Sequence, residues 1–177
     1  MSRPIVRRIV RAGGILVSLA VALAGTVAAA SDIRVVAIND QCDPASFNAA
    51  LGPGTCVTPH AGVQLDDFIR ELTQTQKVGA WNFAPRQVRL GDDQAFQAEN
   101  RGGEVHTFTE VDEFGGGIVP MLNELSGNPV PAPECLALGD GDFIRPGGMS
   151  TPDVEEPGVH HYQCCIHPWM HTDVTVR

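Results

Sequence analysis

An all-β sandwich preceded by one amphipathic helix is the fold this sequence predicts, and two observations predict it. From residue 78 onward, short runs rich in β-branched and aromatic residues recur between Gly and Pro turn signals. Upstream, Leu65, Phe68, Ile69 and Leu72 fall at i, i+3, i+4 and i+7, an apolar stripe at helical spacing. Many short strands with frequent turns argue for a sandwich or a Greek-key barrel.

In chain order, residues 1–30 read as a cleaved signal peptide. Arg3, Arg7, Arg8 and Arg11 make a basic start, an apolar stretch follows, and Ala28-Ala-Ala30 before Ser31 fits a small-residue cleavage site. The apolar stretch is short for a membrane span. Arg7-Arg8 is a twin arginine whose surroundings match that export pattern only in part, so both export routes stay open. Residues 31–79 form an N-terminal extension. It begins with a β-rich run at 33–38 and continues into a Gly-, Pro- and Asp-rich loop at 39–63. The helix follows at about 64–77, with Asp66 and Asp67 in its first turn, where they complement the helix dipole. Residues 80–177 form the β core. Candidate strands are 80–83, 86–90, 94–99, 105–110, 142–145, 159–164 and 172–176. Residues 111–141 read mostly as loop, because Pro129, Pro131 and Pro133 bar a helix or a central strand.

Without its first 30 residues the chain loses four of twelve basic residues and no acidic one, so its net charge is 8 − 21 = −13. An acidic surface of that size argues against nucleic acid or an anionic membrane as partner and favours a basic partner protein. No nucleophile–base constellation stands out, so the chain does not read as an enzyme.

The run Tyr162-Gln-Cys-Cys-Ile-His-Pro-Trp-Met170 sets Cys164, His167 and Met170 at C-x2-H-x2-M spacing. A thiolate, an imidazole and a thioether on one loop are soft ligands. One further histidine would complete a trigonal copper site with a weak axial Met. His106 is the candidate for it. Zinc would accept Cys and His, but a Met ligand is unusual for zinc and no paired C-x2-C ends are present. Five cysteines in an exported chain leave one unpaired. Cys42 and Cys56 flank a loop containing Gly52, Pro53 and Gly54 and form one expected disulfide. Cys135 with Cys165 is the other proposed pair, leaving Cys164 reduced, although sequence does not fix connectivity. His160, His161 and His171 crowd the same end of the chain and read as exposed polar residues, with a second surface metal site as the alternative.

The order of these pieces resembles the cupredoxin family. Phe83-Ala-Pro85, Val88, Gly91-Asp92, Phe96, Asn100 and His106 resemble its opening half. Phe143, Pro146-Gly147, Pro157-Gly158, Tyr162, Cys164, His167, Met170 and the strand Val174-Thr-Val176 resemble its closing half. The resemblance spans about residues 80–177, and the ligand loop looks most like that of amicyanin. It implies a Greek-key β-sandwich holding one type 1 copper, with His106, Cys164 and His167 as ligands and Met170 axial. It also implies an exported, periplasmic or secreted carrier of single electrons between redox partners such as a cytochrome or an oxidoreductase. Copper storage or delivery on the same fold is the alternative, and a copper-free secreted binding module is a third possibility. In this family the second loop histidine is usually the electron exit. Pro168 and Trp169 would then form an apolar patch around the edge of His167. Many members carry Asn or Ser after the first histidine to brace the ligand loop. Thr107 stands there in this chain, with a hydroxyl able to do the same.

Overall fold

The strands form where apolar residues alternate with polar ones or run continuously. The last strand has Thr172, Val174 and Val176 buried, with His171, Asp173 and Thr175 half-buried between them. That period of two matches a strand with one face on the core. The first strand has Val36, Ala37 and Ile38 buried in succession, as a strand covered on both faces requires. The protein is described here by a computed structural model covering residues 33–59 and 61–177. The expected signal peptide and His60 lie outside the described residues.

Nine strands are present among these residues: β1 (Arg34–Asn39), β2 (Asn82–Ala84), β3 (Gln87–Leu90), β4 (Phe96–Asn100), β5 (His106–Thr107), β6 (Thr109–Val111), β7 (Phe143–Ile144), β8 (Gly158–Gln163) and β9 (His171–Val176). They make one sheet in the order β2-β1-β4, a second in the order β3-β9-β8-β6, and the short pair β5-β7. Both larger sheets are mixed. β1 runs antiparallel to β2 and parallel to β4, with Val36 opposite Ala98. β9 runs parallel to β3 and antiparallel to β8. Val36, Ile38, Phe83, Val88, Phe96, Tyr162 and Val174, contributed by strands of both sheets, share one buried cluster, as the two inner faces of a β-sandwich do. The N-terminal extension therefore supplies the middle strand of a sheet.

Three α-helices accompany the strands among the described residues: α1 (Pro44–Leu51), α2 (Leu65–Thr75) and α3 (Pro120–Leu125). α2 buries Phe68 and Leu72 from its apolar stripe and ends where Gln76 turns left-handed. α1 occupies a stretch expected to be loop. Asp43 caps it by accepting from Ser46 N–H, and Pro44 starts it at a position where no N–H is needed. α3 likewise interrupts the expected loop at 111–141, starting at Pro120. Two disulfides tie these segments, Cys42–Cys56 and Cys135–Cys165. Such bridges fit an oxidising compartment. No helix among the described residues is long and apolar enough to cross a membrane.

Candidate metal centre

β8 ends at Gln163, and the chain then makes a tight loop before β9. Cys164 N–H donates to the Met170 carbonyl at 3.1 Å, and Met170 N–H donates to the His167 carbonyl at 2.9 Å. These two bonds close the C-x2-H-x2-M segment on itself. Cys164 is buried and is the one cysteine outside a disulfide. Because successive residues of an extended chain face opposite sides, Cys164 points into the main core while Cys165 points away to Cys135.

β5 brings His106 to the same point. The Cys164 Sγ lies 3.6 Å from His106 Nδ1 and 3.9 Å from His167 Nδ1. The three ligand atoms lie within 4.8 Å of one another, and all three residues are buried. Met170, on the same loop, is 1% exposed. Thr107 contributes twice. Its N–H donates to Cys164 Sγ at 3.5 Å, and its hydroxyl accepts from Cys165 N–H at 2.8 Å. The hydroxyl thus ties the strand carrying one histidine to the loop carrying the other.

Each imidazole has a carboxylate behind it. Asp40, just past β1, lies 2.9 Å through Oδ2 from His106 Nε2, and both side chains are fully buried. An ionised carboxylate only accepts, so His106 Nε2–H donates. Asp40 also accepts from the N–H groups of Cys42, Gly103 and Glu104, at 3.3, 2.9 and 3.0 Å. The Gly102-Gly103 turn makes this approach possible, since a Cβ on Gly102 would fall 1.8 Å from Asp40 Oδ2. Glu104 stands behind His167, with Oε2 3.6 Å from Nε2, and accepts from Trp81 Nε1–H at 2.6 Å.

These surroundings shift the protonation equilibria. Burial opposes ionisation of Cys164, but the hydrogen bonds and charge of His106 and His167 outweigh it and hold the thiol well below its usual range. Burial disfavours charging of His106, yet its bonds to Asp40 and Cys164 raise it to about 9. Asp40 is lowered to about 2, because bonds from His106, Gly103 and Glu104 exceed its burial penalty. Burial raises Glu104. One thiol and two carboxyls therefore surround two imidazoles in a buried site. Fully ionised, that set exceeds the positive charge two imidazoles supply, which suits a bound cation. The soft sulfur donors suit copper in particular.

The expected apolar patch at the edge of His167 is not at the surface. His167 is 4% and Trp169 9% exposed, and Pro168 is buried. Phe68 of α2 covers them, with its ring centre 6.5 Å from that of His167 and 5.8 Å from that of Trp169. Phe47 of α1 and Trp81 pack onto Phe68 in turn. Helix α2 thus lies against the histidine edge expected to be open, with α1 packed behind it.

His160, His161 and His171 do not converge with the thiolate. His160 pairs with Glu110, His161 with Asp173, and His171 bonds the Pro168 carbonyl and stacks on Phe114. Glu110, Glu155 and His160 form a second, partly exposed group. Sequence reasoning missed Asp40 and Glu104. Glu104 had a weak signal, lying two residues before His106. Asp40, 66 residues upstream, had none.

No family model and no curated protein matches the chain. Solved structures do. This chain is similar to cupredoxins. A purple cupredoxin from Nitrosopumilus maritimus shares 16% identity over 81% of this chain and 99% of its own, with a TM-score of 0.45. An oxidised amicyanin variant shares 16% identity over 57% of this chain and 78% of its own, at a TM-score of 0.39. A Cu(I) amicyanin variant shares 14% over 54% and 73%, at 0.36.

Proposed function

We propose that this chain is a cupredoxin, a Greek-key β-sandwich that carries single electrons at one type 1 copper. His106, Cys164 and His167 would hold the copper, with the Met170 thioether as a further, weak donor. The observation that carries this reading is the convergence of one buried thiol with the Nδ1 atoms of two buried imidazoles, and Met170 is buried on the same closed loop. Copper in such a set supplies reversible one-electron chemistry, because thiolate and thioether suit Cu(I) while imidazole suits both oxidation states.

The protein's own residues do the rest. The thiol is held toward its ionised form, and the Thr107 N–H donates to the sulfur. The Cys165–Thr107 bond holds the ligand loop against β5. Burial keeps water from the sulfur. Because few groups need to move when the charge changes by one unit, transfer is fast. The protein is exported, works in the periplasm or outside the cell, and is not itself an enzyme. Its signal peptide is residues 1–30, and residues 31–79 extend the core at 80–177. The acidic surface suits a redox partner with a basic docking face.

Voltammetry of the copper-loaded protein, run beside incubation of the Cu(I) form with a competing Cu(I) chelator, tests this role. A reversible one-electron wave with copper retained is expected. Rapid loss of copper to the chelator with no reversible wave would assign the protein to copper storage or delivery instead.

A further inference from the structure

Burying a carboxylate costs several kcal/mol unless donors and charge offset it. This site buries two, and each faces the far nitrogen of one imidazole. We propose that Asp40 and Glu104 are paired positioning residues of the copper centre, holding both imidazoles with Nε2 outward and Nδ1 toward the thiolate and adding negative charge behind each ligand. This rests on the copper reading above.

The geometry is specific. Asp40 Oδ2 lies 2.9 Å from His106 Nε2, and Glu104 Oε2 lies 3.6 Å from His167 Nε2. Both imidazoles therefore present Nδ1 to Cys164 Sγ, at 3.6 and 3.9 Å. The two acids are themselves fixed. Three backbone N–H groups and one imidazole converge on Asp40, and the Trp81 indole N–H fixes Glu104. They are also joined, because Glu104 N–H donates to Asp40 Oδ2. A metal-bound imidazole commonly donates its other N–H to a carboxylate, which sets its tautomer and raises its basicity. Here His106 does so to Asp40, while Glu104 stands behind His167 at ion-pair distance. The negative charge stabilises Cu(II) over Cu(I), so it lowers the reduction potential. Asp40 belongs to the same N-terminal segment as α1 and α2, so that segment both covers the centre and tunes it.

The test compares reduction potentials of the copper-loaded protein with Asp40→Asn and Glu104→Gln, each nearly unchanged in volume. Both variants are expected to keep the intense colour and to show a higher potential. An unchanged or lower potential in either variant, with colour kept, overturns the proposal while leaving the copper reading intact. If the unsubstituted protein has no intense colour, the copper reading itself has failed. Should Asp40→Asn not fold, Glu104→Gln and nitrogen-15 NMR of the unsubstituted Cu(I) protein still decide. A His106 Nε2–H proton shifted downfield by its bond to the Asp40 carboxylate is expected, and its absence with copper still bound overturns the proposal.

Discussion

Replacing Cys135 and Cys165 together by serine separates the role of the second disulfide from that of the free Cys164 thiol proposed as a metal ligand beside it. The bridge spans a sequence separation of 30. In the chain-entropy treatment, a loop of that length lowers the entropy of the unfolded chain enough to stabilise the fold by about 3.7 kcal/mol. The double substitution leaves no odd thiol to mispair. Both sulfurs lie in a small buried cluster with Val111 and Ala132, apart from the main core that holds Cys164. Two hydroxyls placed there add a desolvation cost in the same direction. With a urea slope of about 2 kcal/mol per M, the unfolding midpoint should fall by about 2 M. The intense colour of the Cu(II) protein should persist, because Cys165 N–H still donates to Thr107 and Cys164 still faces the imidazoles. Urea unfolding followed by fluorescence, with absorption of the copper form alongside, is the assay. A midpoint shift below about 0.5 M would refute the stability reasoning. Loss of colour in a folded variant would refute the separation of the two neighbouring cysteines.

Met170→Gln should keep copper and lower the potential by strengthening the axial bond, and an unchanged potential in voltammetry would mean that Met170 is not axial. Phe68→Ala should cost about 3–5 kcal/mol in urea unfolding, since Phe68 is buried among Phe47, Trp81 and Trp169. It should also speed oxidation by a small soluble reagent by uncovering His167, and an unchanged rate would mean that electrons do not leave at that edge. Burial disfavours charging of His160, yet its bonds to Glu110 and the Glu156 carbonyl outweigh this and raise its pKa. A raised pKa stabilises the fold fully below the unfolded value, about 6.5, and that gain fades as pH rises through the folded value. His160→Gln should therefore be less stable than the parent in acid, with the gap closing in alkali. A gap in urea midpoints that widens with pH would contradict the pairing.

The strands were legible because their chemistry is local. Thr172, Val174 and Val176 alternate with half-buried residues, and the turns on either side carry Gly and Pro. The thiol and imidazole of the ligand loop were legible because their spacing lies within seven residues. α1 was not, since eight residues with one buried side chain, Phe47, leave no apolar stripe to read. Its signal was the Asp43-Pro44 start. The cover over His167 was invisible for a different reason. It depends on Phe68 and Trp169 meeting across about 100 residues of sequence, which no spacing encodes. Asp40 was invisible in the same way. Its carboxylate acquires meaning only when β1 pairs with β4 and the Gly102-Gly103 turn closes onto it.

Absorption and electron paramagnetic resonance spectra of the protein loaded with Cu(II) test the central claim most directly. An intense thiolate-to-copper charge-transfer band with narrow copper hyperfine splitting is the predicted result, and Cys164→Ser should abolish it. A pale spectrum with ordinary hyperfine splitting would contradict the account, because Cys164 would then not be bound to the metal.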